Sequence, residues 1–197
     1  MKIGLYFGSF NPIHLGHIII ANHIVEFLDI DHIWFVVSPQ NPLKKKTNLL
    51  DYVHRVKMLR IAVFGYKKMS VLDIESGCSP SYTINTLYVI EKKYPKDKFT
   101  IIIGIDTLYS IKKWKNYKII LNKYDIFVYP RIGTFSNYNH FFIPIKHNKN
   151  IFLKAPIIEI SSSFIRNSIQ KGKNMNHLLQ TEVWKYIKKH NFYRTKN

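Results

Sequence analysis

Six short apolar runs, most of them unbroken and most followed by a stretch of helical period, constrain the fold more than any other feature. They are residues 2–8, 32–38 ("HIWFVVS"), 69–74 ("MSVLDI"), 99–105 ("FTIIIGI"), 125–130 ("DIFVYP") and 151–155 ("IFLKA"). Continuous rather than alternating hydrophobicity is the pattern of strands covered on both faces, and strands alternating with helices build parallel sheets. Helices are expected over 15–28, 51–64, 83–94, 107–112, 116–123, 162–170 and 181–190, with Asp51 and Thr83 as N-caps. The fold class that follows is α/β: a Rossmann-like, doubly wound parallel sheet with helices on both faces. Loops are expected at 39–50 and 131–150, where Pro, Gly and Asn collect. No linker splits the chain, so one domain over 1–197 is expected.

Composition narrows the function classes. A chain that is 46% hydrophobic with 26 Phe and Tyr in all is not a disordered one. The single cysteine, Cys78, permits no internal disulfide, and no Cys/His spacing of the zinc type occurs. No run reaches the ~18 apolar residues of a membrane span, and no signal-peptide pattern opens the chain, so a cytoplasmic location is expected. The net charge of +18 is weighted toward the second half. Its lysines are scattered among Asn and Ile, which a solvated surface explains first, polyanionic substrates second and nucleic acid third.

In a doubly wound sheet, ligands bind at the carboxyl ends of the strands near the switch point, which directs attention to "GSFNPIHLGH", residues 8–17. Gly8 permits close approach of a phosphate and Pro12 stiffens the turn. A helix beginning near Leu15 offers N–H groups and positive dipole to an anion. His14 and His17, three apart, lie on one face over that helix end, where imidazoles can stabilise charge developing on phosphate. A capping or packed histidine is the plainer alternative.

This stretch resembles the G-[GST]-[FT]-[DN]-P-x-H-x-G-H signature of the nucleotidyltransferase superfamily, with Asn11 where the family more often carries an acid. Within that superfamily four further segments resemble the bacterial nicotinate-nucleotide adenylyltransferases. "SPQNPLKKK" (38–46) is similar to their [PN]-P-H-K loop, with Leu43 in place of the histidine and with Lys44, Lys45 and Lys46 as candidate triphosphate contacts or as a solvated run. "PSYTINTL" (80–87) resembles the segment whose helix start binds the pyridine substituent, here Tyr82 and Thr83; simple helix capping is the alternative. "IIIGIDTLYSIKKW" (101–114) resembles the strand end carrying Gly104, Asp106 for the ribose hydroxyls, and Trp114 for stacking on the pyridine. "ISSSFIR" (160–166) resembles the family's phosphate-holding serines and arginine, here Ser161, Ser162, Ser163 and Arg166.

The resemblance runs in order along nearly the whole chain. It implies adenylyl transfer from ATP to nicotinate mononucleotide, giving deamido-NAD and pyrophosphate in NAD biosynthesis. It implies catalytic roles for His14, His17 and Arg166, and ATP contacts from Gly8, Ser9, Phe10, His14, His17, Gly104, Asp106, Ser161, Ser162 and Arg166. Tyr82, Thr83 and Trp114 would hold nicotinate mononucleotide. Mg²⁺ is expected to travel mainly on ATP, with no protein metal site. The expected partners are these two substrates, with no obligate nucleic acid and no membrane, in a monomer or small homo-oligomer. The alternatives are an adenylyltransferase using nicotinamide mononucleotide or phosphopantetheine, and a basic RNA-binding protein.

Overall fold

The computed structural model describes residues 1–39, 49–74, 81–130, 157–195 and the backbone of 150–152. Six parallel strands form one sheet: β1 (Lys2–Gly8), β2 (His32–Val37), β3 (Met69–Leu72), β4 (Lys98–Gly104), β5 (Asp125–Tyr129) and β6 (Asn150–Phe152). The order is β3-β2-β1-β4-β5-β6, so the chain reverses direction of winding between β1 and β4. There Tyr6 stands opposite Ile102, and the two strands end at Gly8 and Gly104. Ligands of doubly wound sheets bind in the crevice at such a reversal.

The helices are α1 (Leu15–Phe27), α2 (Tyr52–Val63), α3 (Thr83–Lys93), α4 (Ile105–Tyr109), α5 (Tyr117–Lys123), α6 (Ser162–Gln170) and α7 (Thr181–Lys189). Strand side chains alternate between two cores. Tyr6, Ile33, Phe35, Ile102 and Phe127 join Ala21, Ile24, Leu59, Ile165 and Ile187 on one face. Leu5, Val36, Ile101, Ile103 and Ile126 join Ile84, Leu87, Leu108 and Ile120 on the other. Both faces are therefore covered, which is why the strands read as unbroken apolar runs.

Three expectations at element ends are corrected. Ile105 belongs to α4 rather than to the preceding strand, because the chain turns at Gly104, which takes the N-cap position; a 3₁₀ turn, Ile111–Lys113, follows α4 where a single helix over 107–112 was expected. Thr83 is the first residue of α3, with Tyr82 as N-cap. Asp51 occupies the N-cap of α2, yet its side chain makes no capping bond. Cys78, most of the loop expected at 39–50 and nearly all of that at 131–150 lie outside the described residues.

Candidate functional site

The signature folds as a tight turn leaving β1. Gly8 is required by close approach: a Cβ there would stand 2.8 Å from the Phe10 ring. Phe10 itself has a positive φ of 44° and is 2% exposed, packed edge-on against Tyr6, His17 and Phe35. Its side chain is therefore a brace under the turn, and any contact Phe10 makes with ATP runs through its backbone. The Asn11–Pro12 peptide is cis.

His14 is the N-cap of α1 in extended conformation, and its backbone N–H donates to Nδ1 of His17, 3.3 Å away. The two imidazoles stack with centroids 3.7 Å apart. Gly16 makes room for this, since a Cβ there would meet His14 Nδ1 at 3.0 Å and Ile158 at 3.1 Å. The H-x-G-H spacing thus places one buried imidazole, His14, and one half-buried imidazole, His17, over the start of a helix with no acidic residue in its first turn.

A segment from the far end of the chain docks on the same turn. Ser162 Oγ donates to the Pro12 carbonyl at 2.8 Å, and Arg166 Nη1 donates to the Asn11 carbonyl at 2.7 Å. Arg166 also reaches Ser163 Oγ at 3.2 Å, while Ser161 caps α6 by accepting from the Phe164 N–H. Capping and turn-docking are therefore what the Ser161 and Ser162 hydroxyls do here, at the place where phosphate contacts are expected of them. Arg166 is a half-buried cation held by neutral acceptors, so its positive charge is oriented by these bonds but not cancelled by them.

Two residues that reading the sequence did not single out hold this arrangement. Arg55, on the buried face of α2 and only 1% exposed, donates to four carbonyls: Leu50 and Ser9 at 2.8 Å, Ser38 at 2.8 Å and Pro39 at 2.7 Å. It ties the turn after β1 to the chain leaving β2 and to the approach of α2. Desolvation holds its pKa below the ordinary arginine range, against the favourable pull of Tyr193, Tyr52 and Asp51. Tyr193, in left-handed conformation, donates to Asn11 Oδ1 at 2.9 Å, and the Leu50 N–H donates to the same oxygen at 3.3 Å. Burial pushes the Tyr193 phenol up, opposed by the nearby Arg166 and Arg55 cations, so it stays a donor.

On the other side of the switch point, Gly104 lies under the Tyr129 ring, which a Cβ would meet at 2.9 Å. Asp106 is exposed in the first turn of α4. Tyr82 and Trp114, each half-buried, pack, as Phe7 does, against the margin of the second core, and Lys115 Nζ sits 4.7 Å from the centre of the Tyr82 ring. Lys44, Lys45 and Lys46 lie outside the described residues. Among the described residues no group of three His, Cys, Asp or Glu forms a metal cage, and no helix is long and apolar enough to cross a membrane.

Comparison with known proteins fits this geometry. The cytidylyltransferase-like family model matches residues 5–168. A protein of Flavobacterium johnsoniae named "Probable nicotinate-nucleotide adenylyltransferase" is 51% identical over 196 residues, 98% of this chain and 100% of its own. One of the same name from Flavobacterium psychrophilum is 51% identical over 195 residues, again 98% of this chain and 100% of its own. Among solved structures, the Plasmodium falciparum nicotinic acid mononucleotide adenylyltransferase complexed with NaAD superposes with a TM-score of 0.77 at 23% identity, covering 98% of this chain and 97% of that one.

Proposed function

The chain belongs to the nicotinate-nucleotide adenylyltransferases of the cytidylyltransferase-like family, and on that premise we propose that adenylyl transfer from ATP to nicotinate mononucleotide runs at the β1/β4 switch point. The observation that carries this placement is the docking of Ser162 and Arg166 onto the Asn11–Pro12 turn beside the stacked His14 and His17. Segments some 150 residues apart converge on this one turn, which supports the reading of it as the place where phosphate is held.

In the proposed reaction an oxygen of the mononucleotide 5′-phosphate attacks the α-phosphorus of ATP. The new bond forms as the bond from that phosphorus to the bridging oxygen breaks, and pyrophosphate leaves with the electron pair. No protein nucleophile is needed, so catalysis is positioning plus charge stabilisation. His14 and His17, fixed by stacking and by the Phe10 and Tyr6 edges, meet the ATP phosphates in a preset geometry. Gly8 and the Ser9 and Phe10 backbone line the approach. Arg166, together with one of Lys44, Lys45 and Lys46, steadies the departing pyrophosphate, and Ser161 and Ser162 hold the start of α6 beside it. Asp106, after Gly104, accepts from the ribose hydroxyls. Tyr82, Thr83 and Trp114 take the pyridine.

A donor set of imidazoles and one exposed carboxylate suits a divalent ion carried by phosphate oxygens rather than by a protein cage. The family uses a divalent metal with ATP, and for this chain we assign Mg²⁺, which neutralises phosphate charge when bound. The reading also includes a single nucleotidyltransferase domain spanning 1–197 and a cytoplasmic location.

We assign the acid rather than the amide as substrate because a carboxylate at the start of α3 gains dipole attraction and charge-assisted hydrogen bonds. Two such contacts at about 1.5–3 kcal/mol each correspond to ~10²–10⁴ in kcat/KM before non-additivity. The test is pyrophosphate release from ATP with Mg²⁺, compared across nicotinate mononucleotide, nicotinamide mononucleotide and phosphopantetheine. Turnover preferring the nicotinate compound is expected. Preference for phosphopantetheine or the amide overturns the assignment.

A further inference from the structure

Beyond α7 the chain bends back to the signature turn. The backbone passes through Asn191 (φ 52°) and Tyr193 (φ 64°), two left-handed residues that are not glycine. In an aromatic residue this conformation costs energy and persists where the surroundings impose it, often beside a functional site. Phe192, between the two, anchors the bend. Its N–H donates to the Ile187 carbonyl at 3.1 Å, its ring stacks on His190, and its ring centre lies 4.6 Å from that of His54. So fixed, the half-buried Tyr193 directs its phenol to Asn11 Oδ1, 2.9 Å away. That is the shorter of two bonds to this oxygen, the other coming from the Leu50 N–H at 3.3 Å. The backbone carbonyl of the same Asn11 accepts from Arg166 at 2.7 Å. One hydroxyl thus bonds the residue that joins the signature turn to the arginine.

We propose that Tyr193 is a positioning residue for the reaction: through its hydrogen bond to Asn11 it sets the place of the phosphate turn and, with it, the reach of Arg166 toward ATP. This deepens the functional reading above and rests on it. Tyr193 touches no reacting atom in that scheme and acts through Asn11. A phenol suits the task because it is a neutral donor. It holds Asn11 without setting a negative charge against Arg166 and Arg55, the two cations whose charges act on it. Without the hydroxyl, Asn11 Oδ1 keeps only the longer of these two bonds. The turn is then free to shift by a fraction of an ångström, enough to impair catalysis without unfolding the chain. The effect falls on ATP, because Tyr82 and Trp114, assigned to the pyridine, pack against the second core, whereas Tyr193 packs against the first.

The experiment compares the wild type with Tyr193→Phe, which removes only the hydroxyl, and with Tyr186→Phe. The latter removes a hydroxyl from the same aromatic cluster, one that meets His54 Nδ1 at 2.9 Å. For each protein, ATP and mononucleotide are varied in turn below the unfolding transition, ATP binding with Mg²⁺ is measured by calorimetry, and Tm is recorded. Tyr193→Phe is expected to lower kcat/KM for ATP about tenfold and to weaken ATP binding, with the KM for the mononucleotide unchanged. Tyr186→Phe is expected to leave all three as they are. When Tyr193→Phe is combined with Arg166→Lys, the loss should be smaller than the product of the single losses, because both changes act on one contact. A kcat/KM for ATP within twofold of wild type in Tyr193→Phe, an equal loss for both substrates, or a multiplicative double variant overturns the proposal. So does a Tyr193→Phe chain that fails to fold, which makes the hydroxyl a structural anchor. If the wild type turns over neither mononucleotide, the functional reading fails, and unweakened ATP binding in Tyr193→Phe is then the result that removes this contact from the site.

Discussion

Replacing Arg55 with Met tests the claim that the crevice is shaped by a buried cation. The guanidinium gives hydrogen bonds to the carbonyls of Ser9, Ser38, Pro39 and Leu50, at 2.7 to 2.8 Å. Methionine matches the arginine stem as far as Nε and fills the apolar side of the slot, so the main loss is the guanidinium and its four hydrogen bonds. At roughly 0.5–1.5 kcal/mol net per hydrogen bond the sum is about 2–6 kcal/mol. Two effects lower it. The four acceptors belong to half-buried residues that water can reach, and removing a desolvated charge returns part of the cost that depresses its pKa. A net loss of about 2–4 kcal/mol is expected. In a chain of this length that is a fall in Tm of roughly 4–16 °C, at ~2–4 °C per kcal/mol. Urea unfolding with an unchanged m-value, alongside calorimetry, measures it. Because Ser9 follows Gly8, the variant should also lose more than ~10-fold in kcat/KM at temperatures where it remains folded, as misplacement of a phosphate turn by a fraction of an ångström does. Arg55→Lys has one donor centre and cannot span four acceptors, so it should recover less than half the stability. A Met variant within ~1 kcal/mol of wild type would refute the brace.

Four further outcomes are expected. His17→Ala should lower kcat by roughly 10²–10³, the cost of one preorganised stabilising donor, with a loss under threefold removing His17 from the chemistry. Arg166→Lys keeps the charge but loses the fork that binds the Asn11 carbonyl and Ser163, so kcat/KM for ATP should fall about tenfold or more in steady-state assays. Gly16→Ala should leave Tm nearly unchanged, because a helix gain of about 0.5–1 kcal/mol offsets a tight Cβ. The same Cβ presses on the His14 ring at 3.0 Å, so kcat should drop about tenfold while folding is kept. His32, bonded to Ser70 at 2.8 Å, has its pKa lowered by desolvation below the ordinary 6.5. The unfolded chain then takes up the proton first, so stability present above pH 6.5 is lost as pH falls through the folded-state pKa. His32→Gln should flatten that part of a Tm-against-pH curve, and an unchanged slope would remove His32 as its source.

The strands and most helices were legible because burial on both faces writes itself into composition: a run such as Thr100–Gly104 has few other uses. The helix start at Gly104 was not, since Ile105 is as buried in α4 as it would have been in a strand, and apolar content cannot tell the two apart. At the site, the motifs named candidates but not what each side chain touches in the fold. Phe10 is expected among the ATP contacts, and its side chain is packed as a brace under the turn, which a ten-residue signature does not reveal because nothing in it says which aromatic group faces the core. Tyr193 and Asn11 are 182 positions apart, beyond any local spacing rule. Arg55 did leave a signal. It falls in register with Val56, Leu59 and Ala62 on the apolar face of α2, and an arginine on such a face must find acceptors or not fold.

The charge of the chain separates into parts with different consequences for catalysis. Arg55 and Arg166 approach the signature turn from opposite ends of the sequence, and both are held by neutral oxygens. Asn11, which receives bonds from Tyr193 and Leu50 through its amide oxygen, is neutral as well. An aspartate there would accept the same two bonds, but would set a full negative charge beside the guanidinium of Arg166 and weaken the attraction for an incoming triphosphate. With asparagine, the hydrogen-bond frame is kept and the positive potential at the turn is not cancelled. That potential is local, fixed and partly shielded from salt by burial, whereas the scattered lysines behind the net +18 act through solvent and are screened within roughly 10 Å at ordinary ionic strength. On the proposed reading, the placed groups govern which anion is bound and how it is oriented, and the lysine surface governs how fast anions of any kind arrive.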